Sequence, residues 1–167
     1  MKVTKSIQIA MGHSVTGHKS KCRGLHGHDY TIIATVDGKV SGVKGASDEG
    51  MVIDFGDLKQ AMMDVIDRYY DHGFILYKED PRAQLLQQAN DLWCFEKERF
   101  HLVDFIPTAE NLAKHWGDLL AAELDKSGIV LYSLEVYETP TSSAIYTGST
   151  VEELLDEVLT RARKETN

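Results

Sequence analysis

A cluster of histidines at the head of a β-rich run constrains this chain more than any other feature. Four of its seven histidines, His13, His18, His26 and His28, fall within sixteen consecutive residues. His26 and His28 flank Gly27. On an extended chain residues i and i+2 point to the same side, and the glycine removes bulk from the opposite face. Residues 28–36 are rich in β-branched and aromatic side chains and end at the turn pair Asp37-Gly38, so they read as a strand. Residues 3–11 read as another. If the two pair as an antiparallel hairpin with the polar loop folded over, His13 arrives beside His26 and His28. Three imidazoles with an open fourth position are the arrangement of a catalytic zinc rather than of a closed structural site. His18 is the weaker member, placed as a further ligand or at the rim of the pocket.

The rest of the chain supplies helices to cover such a sheet. Residues 39–50 are a loose connection, and 51–53 a short apolar strand leading to Asp54, a good helix N-cap. Leu58, Met62, Val65, Ile66 and Tyr69 then form the stripe of an amphipathic helix. A second helix opens at Thr108, with Glu110 suited to its positive end. Its buried stripe is Leu112, Trp116, Leu119 and Leu120, and it stops near Ser127-Gly128. Residues 129–138 alternate as a long strand, with Leu134, Val136 and Glu138 on one face and Leu131, Ser133, Glu135 and Tyr137 on the other. Residues 144–147 form a short closing strand. Val151, Leu154, Leu155, Val158 and Leu159 predict a C-terminal helix. The stretch 78–105 is too long for a simple connection and reads as an insertion with a helix at 81–90 and a strand at 100–105. The sum is an α+β fold, residues 1–167 as one domain, with helices on one face of an antiparallel sheet. Its bare edges and second face favour oligomerisation.

Charge narrows the function. Eighteen basic against 26 acidic residues give a net charge of −8, which excludes a general nucleic-acid binder or an anionic membrane surface. No apolar run approaches the roughly 20 residues of a membrane span, and the start has no signal-peptide core. With two cysteines far apart, Cys22 and Cys94, a cytoplasmic setting fits better than a disulfide framework. Cys94 lies in the apolar context Leu92-Trp93-Cys94-Phe95 and is expected in the core. Cys22 lies four residues before His26, between Lys21 and Arg23. Near a dication, such a thiol has a lowered pKa and serves as nucleophile or base; alternatively it is a fourth zinc ligand. The loop also concentrates Lys19, Lys21 and Arg23 without an acidic residue, which predicts a locally positive mouth.

Six ordered motifs point further: Ala10-Met11-Gly12-His13, Cys22 with His26-Gly27-His28-Asp29-Tyr30, the run from Gly50 to Lys59, Tyr70-Asp71-His72, Pro107-Thr108-Ala109-Glu110-Asn111 and Val136-Tyr137-Glu138-Thr139. In this order and spacing they resemble the 6-pyruvoyltetrahydropterin synthase / 6-carboxytetrahydropterin synthase family over residues 7–147. The resemblance implies a tunnelling fold, a four-stranded antiparallel sheet with two helices on one side. It implies barrel trimers paired as a homo-hexamer, with active sites between subunits.

By the same resemblance His13, His26 and His28 match zinc (Zn2+) ligands, and Cys22 matches a catalytic thiol. Asp71 and His72 match a proton-transfer pair. Glu138 matches the carboxylate that anchors the pterin, and Thr108 matches a substrate contact. The implied substrate is 7,8-dihydroneopterin triphosphate, with no nucleic-acid or membrane partner. The four-residue step from Cys22 to His26 resembles the 6-carboxy branch of queuosine and 7-deazapurine biosynthesis, which also releases acetaldehyde. Two other readings stay open: a 6-pyruvoyl synthase, and a zinc-stabilised binding module in which Cys22 closes the site. Gly12 departs from the small alanine expected before the first ligand, and the 78–105 insertion departs from compact members.

Overall fold

The two β-rich runs become paired central strands, β1 (Lys2–His13) and β2 (His26–Asp37), in a computed structural model that describes residues 1–93 and 99–148. They are antiparallel over their whole length, from Lys2 opposite Asp37 to His13 opposite His26. Next come α1 (Phe55–Met62), a π-helical stretch Met63–Asp67 and α2 (Arg68–Tyr70). β3 (Phe74–Tyr77), α3 (Ala83–Trp93) and β4 (Phe100–Val103) follow. The chain continues through α4 (Ala109–Asp125), β5 (Val130–Thr139) and β6 (Ser142–Tyr146). The expected core residue Cys94 and the expected C-terminal helix lie outside the described residues.

Among the described residues one sheet runs β4-β3-β1-β2-β5-β6. The antiparallel set β1, β2, β5 and β6 matches the expected four strands. The sheet has two more, because β3 and β4, from the 74–103 region, add in parallel beside β1. A parallel pair needs a crossover, and α3 lies within the one joining β3 to β4. Ile7, Ile9 and Met11 of β1, with Tyr30, Ile32, Ala34 and Val36 of β2, turn to one face. There they pack with Leu134 and Val136 of β5 and with Leu58, Met62, Ile66, Leu112, Trp116 and Leu120 of the helices. The helices thus cover one face, as the sequence predicts.

Both N-caps form where expected: Asp54 accepts from the Gly56 N–H at 2.6 Å, and Thr108 accepts from the Asn111 N–H at 3.5 Å. Four details differ from the sequence reading. Residues 51–53 form no strand; Val52 and Ile53 reach the core from a loop in which the Met51 N–H bonds to the Asp48 carbonyl. The helical stripe ends on Tyr70, not Tyr69, because the wider π-helical stretch carries the steps of four from Leu58 through Ile66 onto the same side. Leu119 is exposed, one position round the helix from buried Leu120. Leu131 faces the core, because a bulge leaves Tyr132 unpaired and sets Leu131 opposite Val36. Among the described residues no helix is long and apolar enough to cross a membrane.

Candidate active site and metal centre

The row of inward side chains that builds the core ends in histidines. His13 continues the row Ile7, Ile9, Met11 on β1, and His26 and His28 continue the row above Tyr30 on β2. The register sets His13 opposite His26 and Met11 opposite His28. The three rings meet with centroids 4.4 Å (His13–His26), 5.3 Å (His13–His28) and 5.1 Å (His26–His28) apart. Their ligand nitrogens all lie within 4.8 Å of one another. Gly27 is required at this spot, since a Cβ there would meet the Met11 carbonyl oxygen at 2.9 Å.

The orientation of two of the rings is held from behind. His13 Nδ1–H donates to the Pro107 carbonyl at 2.8 Å, and His26 Nδ1–H donates to the Gly24 carbonyl at 2.9 Å. Because a carbonyl only accepts, the proton sits on Nδ1 and Nε2 keeps its lone pair. Nε2 of His13, His26 and His28 is buried without a hydrogen-bond partner. Three unpaired imidazole nitrogens facing one point are costly unless something occupies it, and a metal ion is what that donor set accepts. Burial also pushes the His13 pKa down, outweighing the Pro107 bond and the nearby Glu138 charge, and so favours the neutral ligand form.

Cys22 does not join this group. Among the described residues the set that could hold a metal is the three histidines. Cys22 is a free, partly buried thiol in a 3-10 turn (Lys21–Arg23) capped by the Ser20 hydroxyl. It lines a cleft of about 250 Å³ together with His18, Thr108, Glu110 and Glu138. Glu138 Oε1 lies 3.5 Å from His13 Nε2 and 4.0 Å from His28 Nε2, so the carboxylate stands between the three histidines and the cleft. His18 is at the rim, outside the ligand set. Its Nδ1 accepts from the Ser20 N–H at 3.1 Å, which leaves Nε2 as the protonated nitrogen. Glu110, at the helix start as expected, also lines the cleft, and its own N–H and the Thr108 hydroxyl hold its carboxyl below the usual range.

Asp71 and His72 are brought together, but elsewhere. Their side chains bond at 2.7 Å through His72 Nδ1, and Asp71 Oδ1 accepts from the Ala10 N–H at 2.9 Å. Burial alone would raise the Asp71 pKa, but the bonds from Ala10 and His72 outweigh it and hold the carboxyl below its usual value. His72 adopts φ +56°, a left-handed conformation unusual for a residue with a Cβ, and its N–H bonds to the Ala10 carbonyl at 2.7 Å. It lines a shallow cavity with Gly12, Gly27 and Asp29. Met11 and His28 border it too, but Ala10, Gly12, Gly27 and Asp29 are the positions that alternate with the three histidines along β1 and β2, so His72 opens mainly toward the face of the sheet away from Cys22. Gly12 also has its reason here: a Cβ would strike the Phe74 ring of β3. Sequence reasoning missed Asp80 and Arg82, which reach the Cys22 loop; the Asp80-Pro81 pair, a helix-start signature, was the available signal.

Over residues 2–149 the chain matches a family described as 6-pyruvoyl tetrahydropterin synthase. It is similar to a 6-carboxy-5,6,7,8-tetrahydropterin synthase of Rickettsia felis, 34% identical over 142 residues, covering 84% of this chain and 95% of the relative. One of the same description from Haemophilus influenzae is 34% identical over 149 residues, covering 87% and 97%. In fold it resembles an uncharacterized protein of Wolinella succinogenes, with TM-score 0.72, 24% identity and coverage of 89% and 98%. It also resembles a 6-pyruvoyl tetrahydropterin synthase of Caenorhabditis elegans, with TM-score 0.61, 22% identity and coverage of 89% and 96%.

Proposed function

This chain belongs to the 6-pyruvoyl tetrahydropterin synthase family, and from that premise we propose that it is a zinc-dependent 6-carboxy-5,6,7,8-tetrahydropterin synthase. It converts 7,8-dihydroneopterin triphosphate and one water to 6-carboxytetrahydropterin, acetaldehyde and triphosphate, in queuosine and 7-deazapurine biosynthesis. The observation that carries this reading is the convergence of three unpartnered histidine nitrogens beside a cleft holding Cys22 and Glu138. The 6-carboxy branch is supported by the descriptions of the relatives. We read residues 1–167 as one domain working in the cytoplasm.

His13, His26 and His28 would hold the zinc, whose chemistry is Lewis-acid polarisation of a bound oxygen. Glu138 accepts two parallel hydrogen bonds from the pterin ring N–H and exocyclic amine, and Thr108 offers its hydroxyl to the same ligand. Cys22, as a thiolate, takes a proton from the side-chain carbon. Lys19, Lys21 and Arg23, exposed on the loop, draw in the triphosphate. The second proton carrier is His72, with Asp71 holding the Nδ1 proton so that Nε2 faces outward. Because the thiol and this dyad open on opposite faces of one chain, a complete site takes the dyad from a neighbouring copy. That supports the homo-hexamer, a dimer of trimers.

The test is to incubate the metal-loaded protein with 7,8-dihydroneopterin triphosphate and follow its products. Acetaldehyde and a 6-carboxypterin are expected in equal amounts. Triphosphate release without acetaldehyde assigns the 6-pyruvoyl reaction instead, and an untouched substrate overturns the enzyme reading.

A further inference from the structure

The loop joining β1 to β2 carries Cys22 and ends on the candidate metal ligands; within itself it is closed by the Val15 N–H to Cys22 carbonyl bond at 2.9 Å and by short turns. Of residues 14–25 only Ser14 is buried, and the regular structure is the single turn Lys21–Arg23. Its anchor comes from the start of the 78–105 insertion. The Asp80 carboxylate, fully buried, accepts from the Arg82 N–H and Nε at 2.8 Å each and from Arg82 Nη2 at 2.7 Å. Thr16 of the loop donates its hydroxyl to Asp80 Oδ2 at 2.6 Å. The guanidinium fixed in this way reaches both ends of the loop. Nη2 donates to Ser14 Oγ at 2.7 Å, beside the ligand His13, and Nη1 donates to the Arg23 carbonyl at 3.0 Å, beside Cys22. Ser14 closes the ring by donating to the same carbonyl at 2.9 Å.

We propose that Asp80 and Arg82 form a clamp that sets the Cys22 loop against the metal centre, acting as positioning residues for the reaction proposed above, on which this inference rests. A planar fork with several donors is needed, because one side chain must hold a carboxylate while spanning two loop atoms, and a single ammonium cannot. An ordinary stabilising ion pair would need only Asp80. The two contacts across to the loop exceed that role. The segment following His72 therefore governs the geometry of the thiol, and this is the task of the insertion's first turn.

Arg82→Lys tests the clamp while keeping a cation beside the buried carboxylate, and Thr16→Val tests it from the loop side. In Arg82→Lys a kcat lower by about 10- to 100-fold is expected, with KM within about threefold and bound zinc and melting temperature near the parent's. Thr16→Val is expected to lower kcat in the same direction by less. Independently of turnover, the rate of iodoacetamide alkylation at Cys22, read by peptide mass against Cys94 in the same sample, is expected to change by about fivefold or more. An unchanged Cys22 alkylation rate overturns the proposal. So does a kcat within twofold of an active parent, or a loss that only parallels loss of zinc and fold. If the parent turns over no pterin, the function reading fails by itself and the alkylation ratio still decides the clamp.

Discussion

Each functional side chain here owes its role to what stands behind it. His13 and His26 are suited to hold a metal because the carbonyls of Pro107 and Gly24 accept from their Nδ1–H groups and leave Nε2 its lone pair. Cys22, outside that set, predicts a separation of metal binding from turnover. Cys22→Ala is expected to keep the zinc content and the melting temperature while lowering kcat by roughly 10²- to 10⁴-fold. Zinc lost along with activity would assign the thiol to the ligands instead. Asp71 makes a prediction in acid. Its native pKa is lowered, so the stability it contributes is fully present above the ordinary aspartate value of about 3.9 and is lost as pH falls through the lower native value. Asp71→Asn keeps an oxygen for the Ala10 N–H but removes this titration. Its stability is expected to fall less steeply than the parent's below pH 4 in acid unfolding, and parallel curves would refute the assignment.

At the scale of elements, alternation and capping were legible because they are local, and offsets between neighbouring elements were not. The strand faces of β1 and β2 and the caps of α1 and α4 follow from period and residue type. The bulge at Tyr132 and the π-helical stretch do not, since each corrects the fit of one element to another. The same distinction decides Gly117 in α4. By helix propensity alone, alanine there should stabilise by about 0.8–1.0 kcal/mol. A Cβ at Gly117, however, would run into the Tyr146 ring of β6, whose hydroxyl donates to Asp118 at 2.6 Å. Gly117→Ala is therefore expected to destabilise by roughly 1–3 kcal/mol in chemical denaturation. Paired with Tyr146→Ala, it should cost much less. A Gly117→Ala chain more stable than the parent would show that the ring simply moves aside.

At the scale of the whole molecule the candidate machinery is divided between two faces of a sheet, with Cys22 and Glu138 on the helix-covered side and His72 on the other. If neighbouring copies complete each other's sites, two inactive variants should rescue one another. Mixed by denaturation and refolding at equal amounts, Cys22→Ala and His72→Ala chains are expected to recover activity at about a quarter of the parent's sites. Refolded mixtures as inactive as either variant alone would place the whole site within one chain. From the sequence alone came the α+β class, the histidine triad, the helix caps and the notice of Cys22, because period, spacing and residue chemistry are local properties of a chain, while Asp71-His72 and Glu138 stood out only through the resemblance to a family. Tertiary structure alone decided that Cys22 stays out of the ligand set, that the Asp71–His72 pair faces away from it, and that Arg82 ties together Ser14 and Arg23. Those depend on strand register and on contacts between residues as many as 68 positions apart, which no local pattern encodes.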